Sequence, residues 1–98
     1  MVTLVNKFTV TADTAEFERI WKASSEFMRQ QPGFIRFRLV RSMQDPMVYI
    51  NIADWADAES HRRVLGGQGF QAHLAELAAV AKPEPHLCDV VLEYGADA

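Results

Sequence analysis

The chain is short of most groups that commonly do chemistry, and it has no segment built for a membrane. Cys88 is its only cysteine, so no intrachain disulfide can form and a reducing, cytoplasmic setting is expected. The longest uninterrupted apolar runs, such as Leu77-Ala78-Ala79-Val80-Ala81, fall far short of the roughly 20 residues that cross a bilayer. Met1-Val2-Thr3-Leu4 has neither the basic start nor the long apolar stretch of an export signal, and none is expected. Acidic residues outnumber basic ones, 13 to 10, which leaves no electrostatic footprint for nucleic acid or an anionic membrane. With 98 residues there is room for one domain, residues 1–98, and none for a separate cofactor-binding module. Hydrophobic residues at 49% and charged ones at 23% argue against disorder. A chain this short buries only about 60–65% of its unfolded surface, so a second subunit would add burial that one copy lacks.

The usual catalytic kits are missing as well. Gly66-Gly67-Gln68-Gly69 lies inside a helical region, follows no strand and precedes no Lys-Ser/Thr pair, so it is not a phosphate loop. His61, His73 and His86 lack metal-ligand spacing; His73 and Glu76 are one helical turn apart, and two candidate ligands do not make a site. No metal is expected. No serine or cysteine stands in a nucleophile motif, and Cys88, in the last strand, reads as core. Paired carboxylates on one strand face are absent, so nothing supports glycosidase-like chemistry. Arg36, Arg38 and Arg41 cluster on one strand, either as a solvated or interface edge or as a device that steers an acidic substrate.

What is present is a clear order of elements. Residues 2–11 alternate with period two, Val2, Leu4, Asn6, Phe8 and Val10 on one face, which predicts a strand. Asp13 and Glu16 have capping-box spacing, and Phe17, Ile20, Trp21, Ser24, Phe27, Met28 and Gln31 follow at helical spacing, apolar except at Ser24 and the end. Pro32-Gly33 ends that helix. Phe34–Ser42 is a second strand, with Ile35, Phe37 and Leu39 opposite Arg36 and Arg38. Met47–Trp55 is a third, with Val48, Ile50 and Ile52 on one side and Tyr49, Asn51, Ala53 and Trp55 on the other. Asp57 caps a helix through Leu65, the glycines interrupt it, and helical spacing resumes from Phe70 to Ala81. Pro83-Glu84-Pro85 predicts a stop before a last strand, His86–Tyr94. The sum is β-α-β-β-α-β, a ferredoxin-like split βαβ sandwich of the α+β class, with both helical regions on one face of the sheet. The other face needs a cover, and a second copy packed sheet to sheet is the simplest.

The remaining chemical candidates are neutral. Asn6 interrupts an apolar row, either for a sheet-edge or cap bond or to meet a ligand; an unpartnered buried amide costs about 1–3 kcal/mol. Asn51 and Trp55 share a face of strand three, where Trp55 is either core or pocket wall. A pocket between helices and sheet lined by aromatics and a few amides suits a flat, apolar, oxygenated ring system.

These residues carry a resemblance. Val5-Asn6-Lys7-Phe8-Thr9-Val10, Gln31-Pro32-Gly33-Phe34, Tyr49-Ile50-Asn51-Ile52-Ala53-Asp54-Trp55 and Gly69-Phe70-Gln71-Ala72-His73 run in order through a chain that resembles the antibiotic biosynthesis monooxygenase family. The likeness is nearest to its cofactor-independent anthrone monooxygenases of aromatic polyketide pathways, the nogalamycin type. It implies a homodimeric α+β barrel that oxidises a tricyclic anthrone to a quinone with O2 as co-substrate, without flavin, haem or metal. It also implies catalytic roles for Asn6, Asn51 and Trp55, with Tyr49, His61, His73 and Phe27 touching the substrate. His61 stands where a relative has tyrosine, which leaves its part in proton transfer, like that of His73, open. Two alternatives share the fold: a haem-degrading monooxygenase using Asn6, Trp55 and His73, and a non-catalytic barrel that binds a polyketide.

Overall fold

The computed structural model describes residues 1–97. Its elements are β1 (Val2–Val10), α1 (Thr14–Met28), β2 (Phe34–Arg41), β3 (Val48–Trp55), α2 (Ala58–Leu65), α3 (Gln68–Ala78) and β4 (Ala81–Asp89). The strands form one antiparallel sheet in the order β2-β3-β1-β4, the arrangement that the split βαβ pattern demands. No helix among the described residues is long and apolar enough to cross a membrane.

Local chemistry explains most boundaries. The Asp13 carboxylate accepts from the Ala15 N–H and caps α1, while Glu16 turns away to pair with Arg19, so the capping box is only half formed. Asp57 caps α2 through the Ser60 N–H at 2.7 Å, a bond that holds its carboxyl below the usual carboxylate range. Gly66 and Gly67 separate α2 from α3, as the glycine run predicts. Gly33 has φ +90°, and an added Cβ would lie 2.3 Å from Ser60 Oγ; here glycine answers both a backbone and a packing demand. The Gly33 carbonyl also accepts from Ala56 N–H at 2.7 Å, tying the end of α1 to the end of β3.

Three readings of the sequence need correction. The last strand starts at Ala81, where α3 was expected to continue, and ends at Asp89, so Pro83 and Pro85 lie inside it and Val90–Tyr94 lies beyond it. Proline cannot donate to a ladder, but β4 is an edge strand and needs only one bonded side. A bulge between Phe34 and Arg36 shifts the phase of β2, leaving Ile35 exposed while Phe37 and Leu39 face the helices. Cys88 pairs with Thr3 on the outer face, half-buried, and takes no part in the core.

The sheet register fixes two chemistries on opposite faces. Toward the helices point Leu4, Asn6 and Phe8 of β1 with Tyr49, Asn51, Ala53 and Trp55 of β3, whose burial alternates without a break. Beneath the helices the apolar residues form two clusters, one around Phe8, Phe17, Ile20 and Tyr49, the other around Leu4, Ala53, Trp55 and Val64. Phe17 and Trp55 are wholly buried; truncating either to alanine should cost about 3–5 kcal/mol. The core is thus divided, and the gap is where the site lies.

Candidate active site

A cavity of about 350 Å³ is lined by members of both clusters, between the sheet and the three helices. β1 contributes Leu4, Asn6 and Phe8; β3 contributes Asn51, Ala53 and Trp55; α1 contributes Trp21, Ser24, Ser25 and Met28. His61 of α2, with Phe70, Gln71 and Leu74 of α3, closes the helix side, and the rings of Pro83 and Pro85 wall the β4 edge. No lysine, arginine, aspartate or glutamate lines it.

The two asparagines are direct cross-strand partners, Asn6 on β1 opposite Asn51 on β3. The Glu84 N–H donates to Asn6 Oδ1 at 3.2 Å. The sheet-edge bond that a mid-row asparagine suggests is therefore made, and it leaves the Asn6 Nδ2 group as the donor at the cavity. Asn51 is buried, and its Oδ1 has no hydrogen-bond partner; neither does the Nε1 of Trp55 or of Trp21, and all three residues line the cavity. Each such orphan costs about 1–3 kcal/mol in the empty protein, a cost that a correctly oxygenated ligand can remove.

His61 is buried and packs edge-on against Trp55, ring centroids 5.6 Å apart. Burial alone pushes its imidazole pKa below the ordinary 6.5, so the ring is neutral near pH 7. The cavity therefore holds amides, hydroxyls, indoles and one neutral imidazole.

Asn6, Asn51, Trp55 and His61 are brought to this one cavity. The other expected contacts fall elsewhere. Tyr49 lines a second, more open cavity of about 380 Å³, and its hydroxyl donates to Glu18 Oε2 at 2.5 Å. Phe27 and His73 pack on each other with centroids 5.1 Å apart, away from the cavity lining. A Cβ on Gly69 would lie 2.6 Å from the Phe27 ring, so Phe27 sits tight in the α1–α3 contact. Asn6, Trp55 and His73, the set a haem degrader would use, do not converge. Trp21 and Ser24 were the positions that sequence reasoning missed; the one signal was a serine interrupting the apolar stripe of α1. Among the described residues no group of three or more His, Cys, Asp or Glu could hold a metal ion.

The chain is thus an α+β sandwich that holds an uncharged, ring-sized cavity between its sheet and its helices. The model of the family "Antibiotic biosynthesis monooxygenase" matches residues 1–83, and the chain belongs to that family. The deoxynogalonate monooxygenase of Streptomyces nogalater is 41% identical over 83 residues, 85% of this chain and 70% of the relative. The crystal structure of SnoaB, a cofactor-independent oxygenase from Streptomyces nogalater, superposes with a TM-score of 0.91 at 38% identity, covering 94% of each chain. A conserved protein from Methanosarcina mazei Go1, 17% identical, shares the fold with a TM-score of 0.76 over 87% of this chain and 89% of its own. The chain is accordingly an oxygenase, of the kind that works without a cofactor.

Proposed function

We propose that this oxygenase converts an anthrone-type aromatic polyketide intermediate to the quinone. The observation that carries the reading is the cavity: apolar walls, no charged side chain, and unpartnered neutral polar atoms on Asn51, Trp55 and Trp21. A tricyclic hydroxylated ketone has the shape and the oxygens to match. Similarity to a deoxynogalonate monooxygenase supports an aromatic polyketide substrate.

The chemistry follows from what the substrate itself supplies. Loss of a methylene proton gives an electron-rich enolate, which passes one electron to O2. The resulting radical and superoxide combine to a carbon-bound peroxide. Loss of the second methylene proton with cleavage of the O–O bond leaves the carbonyl, and the other oxygen departs as water. Carbon gives up four electrons and O2 accepts four, so no external reductant enters. In this reading Asn6 Nδ2 and the Asn51 amide donate to the enolate oxygen and Trp55 Nε1 to the peroxide, and the bound rings displace water from the apolar walls.

The enzyme acts as a cytoplasmic homodimer in this reading. The outer face of the sheet carries Val5, Ile50 and Ile52 with no helix over them, and Val91, Leu92 and Tyr94 beyond β4 are highly exposed. A second sheet over that face would cover the first group and give the second an apolar neighbour.

Oxygen uptake and quinone absorbance with dithranol, using protein verified free of metal, haem and flavin, test the proposal. Enzyme-dependent uptake with one quinone formed per O2 is expected. Binding of the ring system without uptake would identify a non-catalytic polyketide binder, and a ligated absorption band on adding haem would move the reading to haem degradation.

A further inference from the structure

The apolar cavity offers no countercharge to a permanently ionised substituent. Its only titratable side chain is His61, held neutral by burial, and an unpaired carboxylate there would lose several kcal/mol of hydration. A second cavity adjoins it. Trp21, Ser25 and Phe37 line both, so two cavities of opposite character meet at these side chains. The second is lined by Lys22 and Arg41, together with Glu18 and Tyr49.

Arg41 is already held in place. Its Nε donates to the Pro46 carbonyl at 2.8 Å, and its guanidinium lies 5.2 Å from the Tyr49 ring centroid. Its Nη1 is 3.9 Å from Glu18 Oε2, too long for a hydrogen bond. Glu18 is instead engaged by the Tyr49 hydroxyl. Burial first, and then that bond, raise the Tyr49 pKa and keep it a donor. Lys22 forms no ion pair among the described residues. Two cations therefore face one already hydrogen-bonded carboxylate. The other arginines of the strand-two cluster do not compete: Arg36 pairs with Asp54 at 2.8 Å, and Arg38 lies on the outer face opposite Ile52.

We propose that the second cavity is a carboxylate subsite, in which Arg41 and Lys22 hold an acidic substituent while the rings occupy the apolar cavity that meets it at Trp21, Ser25 and Phe37. The substrate class is then a hydroxylated anthrone bearing a carboxylate on an outer ring, which rests on the oxygenase reading above. Arg41 and Lys22 determine specificity and take no part in the oxidation.

Rhein anthrone and aloe-emodin anthrone, which differ only in a carboxylate against a hydroxymethyl group, are the matched probes. The wild-type enzyme should prefer the acid by about tenfold in kcat/KM, the size of one charge-assisted hydrogen bond. Arg41→Gln should raise KM for the acid about tenfold and leave the alcohol unchanged. Glu18→Gln should move the other way and strengthen the preference for the acid, which a merely structural role for this cluster would not do. Equal kcat/KM for the two probes in the wild type, or equal losses on both in Arg41→Gln, would overturn the subsite. Turnover of the uncharged alcohol reports on the oxygenase reading alone. If neither anthrone turns over, that reading fails, and tryptophan-fluorescence titration with the stable quinones rhein and aloe-emodin still decides the subsite by the same acid-over-alcohol ratio.

Discussion

Tyr49, Asn51, Ala53 and Trp55 alternate with Val48, Ile50, Ile52 and Asp54 along eight residues of β3, and the two rows live in different environments. The inner row lies under the helices and is buried throughout; it ends in a fully enclosed tryptophan and includes an amide oxygen without a partner. The outer row is half-buried, apolar in its middle, and polar only at Asp54, which is bonded to Thr3 and Arg36. A period of two thus places a cavity wall and a candidate assembly surface on one strand, back to back. The inner row carries unsatisfied groups, which in the proposed reading a ligand completes. The outer row has its polar group satisfied and its apolar groups without a helix over them, the surface that the proposed dimer would cover.

The sharpest break in this comparison is a charge in the middle of the outer row. Ile52→Asp buries an unpaired carboxylate in each half of a sheet-to-sheet dimer, at about 3–5 kcal/mol apiece. Sedimentation velocity should show dissociation constants raised by a thousandfold or more, with far-UV circular dichroism of the monomer retained. A wild-type chain that sediments as a monomer, or a variant that still sediments as a dimer, would remove the outer row from any interface. The inner row should break differently. Trp55→Phe keeps most of the ring and deletes one N–H, so kcat for dithranol should fall about a hundredfold, the size of one lost oxyanion donor, with KM little changed. Asn6→Ala should lower kcat similarly. Unchanged turnover in both variants would deny the inner row its catalytic role.

A smaller effect separates binding function from folding on the inner row itself. Asn51→Leu replaces an amide with an orphaned oxygen by an apolar group of similar size. Thermal unfolding of the ligand-free variant should show a gain of about 1 kcal/mol, or roughly 4–8 °C in Tm for a domain of this size, together with lost turnover. A destabilised variant would mean that Asn51 is already satisfied in solution and serves the fold.

How much of this was legible follows from the range of the forces involved. The alternation of β1 and β3, the caps at Asp13 and Asp57 and the break at Gly66-Gly67 are local signals, and they located five of the seven elements closely. Asn6 and Asn51 were visible as polar intrusions in apolar rows because period-two patterning makes a single exception conspicuous. The misreadings came from sheet context. Pro83 and Pro85 read as a stop until β4 is known to be an edge, and the bulge at Ile35 leaves no mark in its own residue type. Phe27 and Tyr49 are aromatic and inward-facing, as the pattern says. Which chamber or contact each faces depends on helix placement, which residue periodicity does not encode. The same applies to Trp21, whose indole stripe position looks like ordinary core until two cavities are seen to meet at it.

The smallest effect concerns His61, which packs over the Trp55 end of the inner row. Its folded-state pKa is depressed by burial below the unfolded 6.5, so the native state binds the proton less readily than the unfolded chain does. The stability tied to its neutral form is therefore complete above about pH 6.5 and is lost as pH falls through the lower folded value. Chemical-denaturation midpoints measured from pH 8 to pH 5 should decline at the acid end, and His61→Phe, which keeps an aromatic ring against Trp55, should flatten that part of the decline. The outer-row variant Ile52→Asp carries a carboxylate, so protonation at low pH should partly restore its dimer. Acid thus weakens the fold through the inner row while it repairs the interface through the outer one. Parallel pH responses of stability and association would mean that the two rows are coupled and that the strand does not keep its two tasks apart.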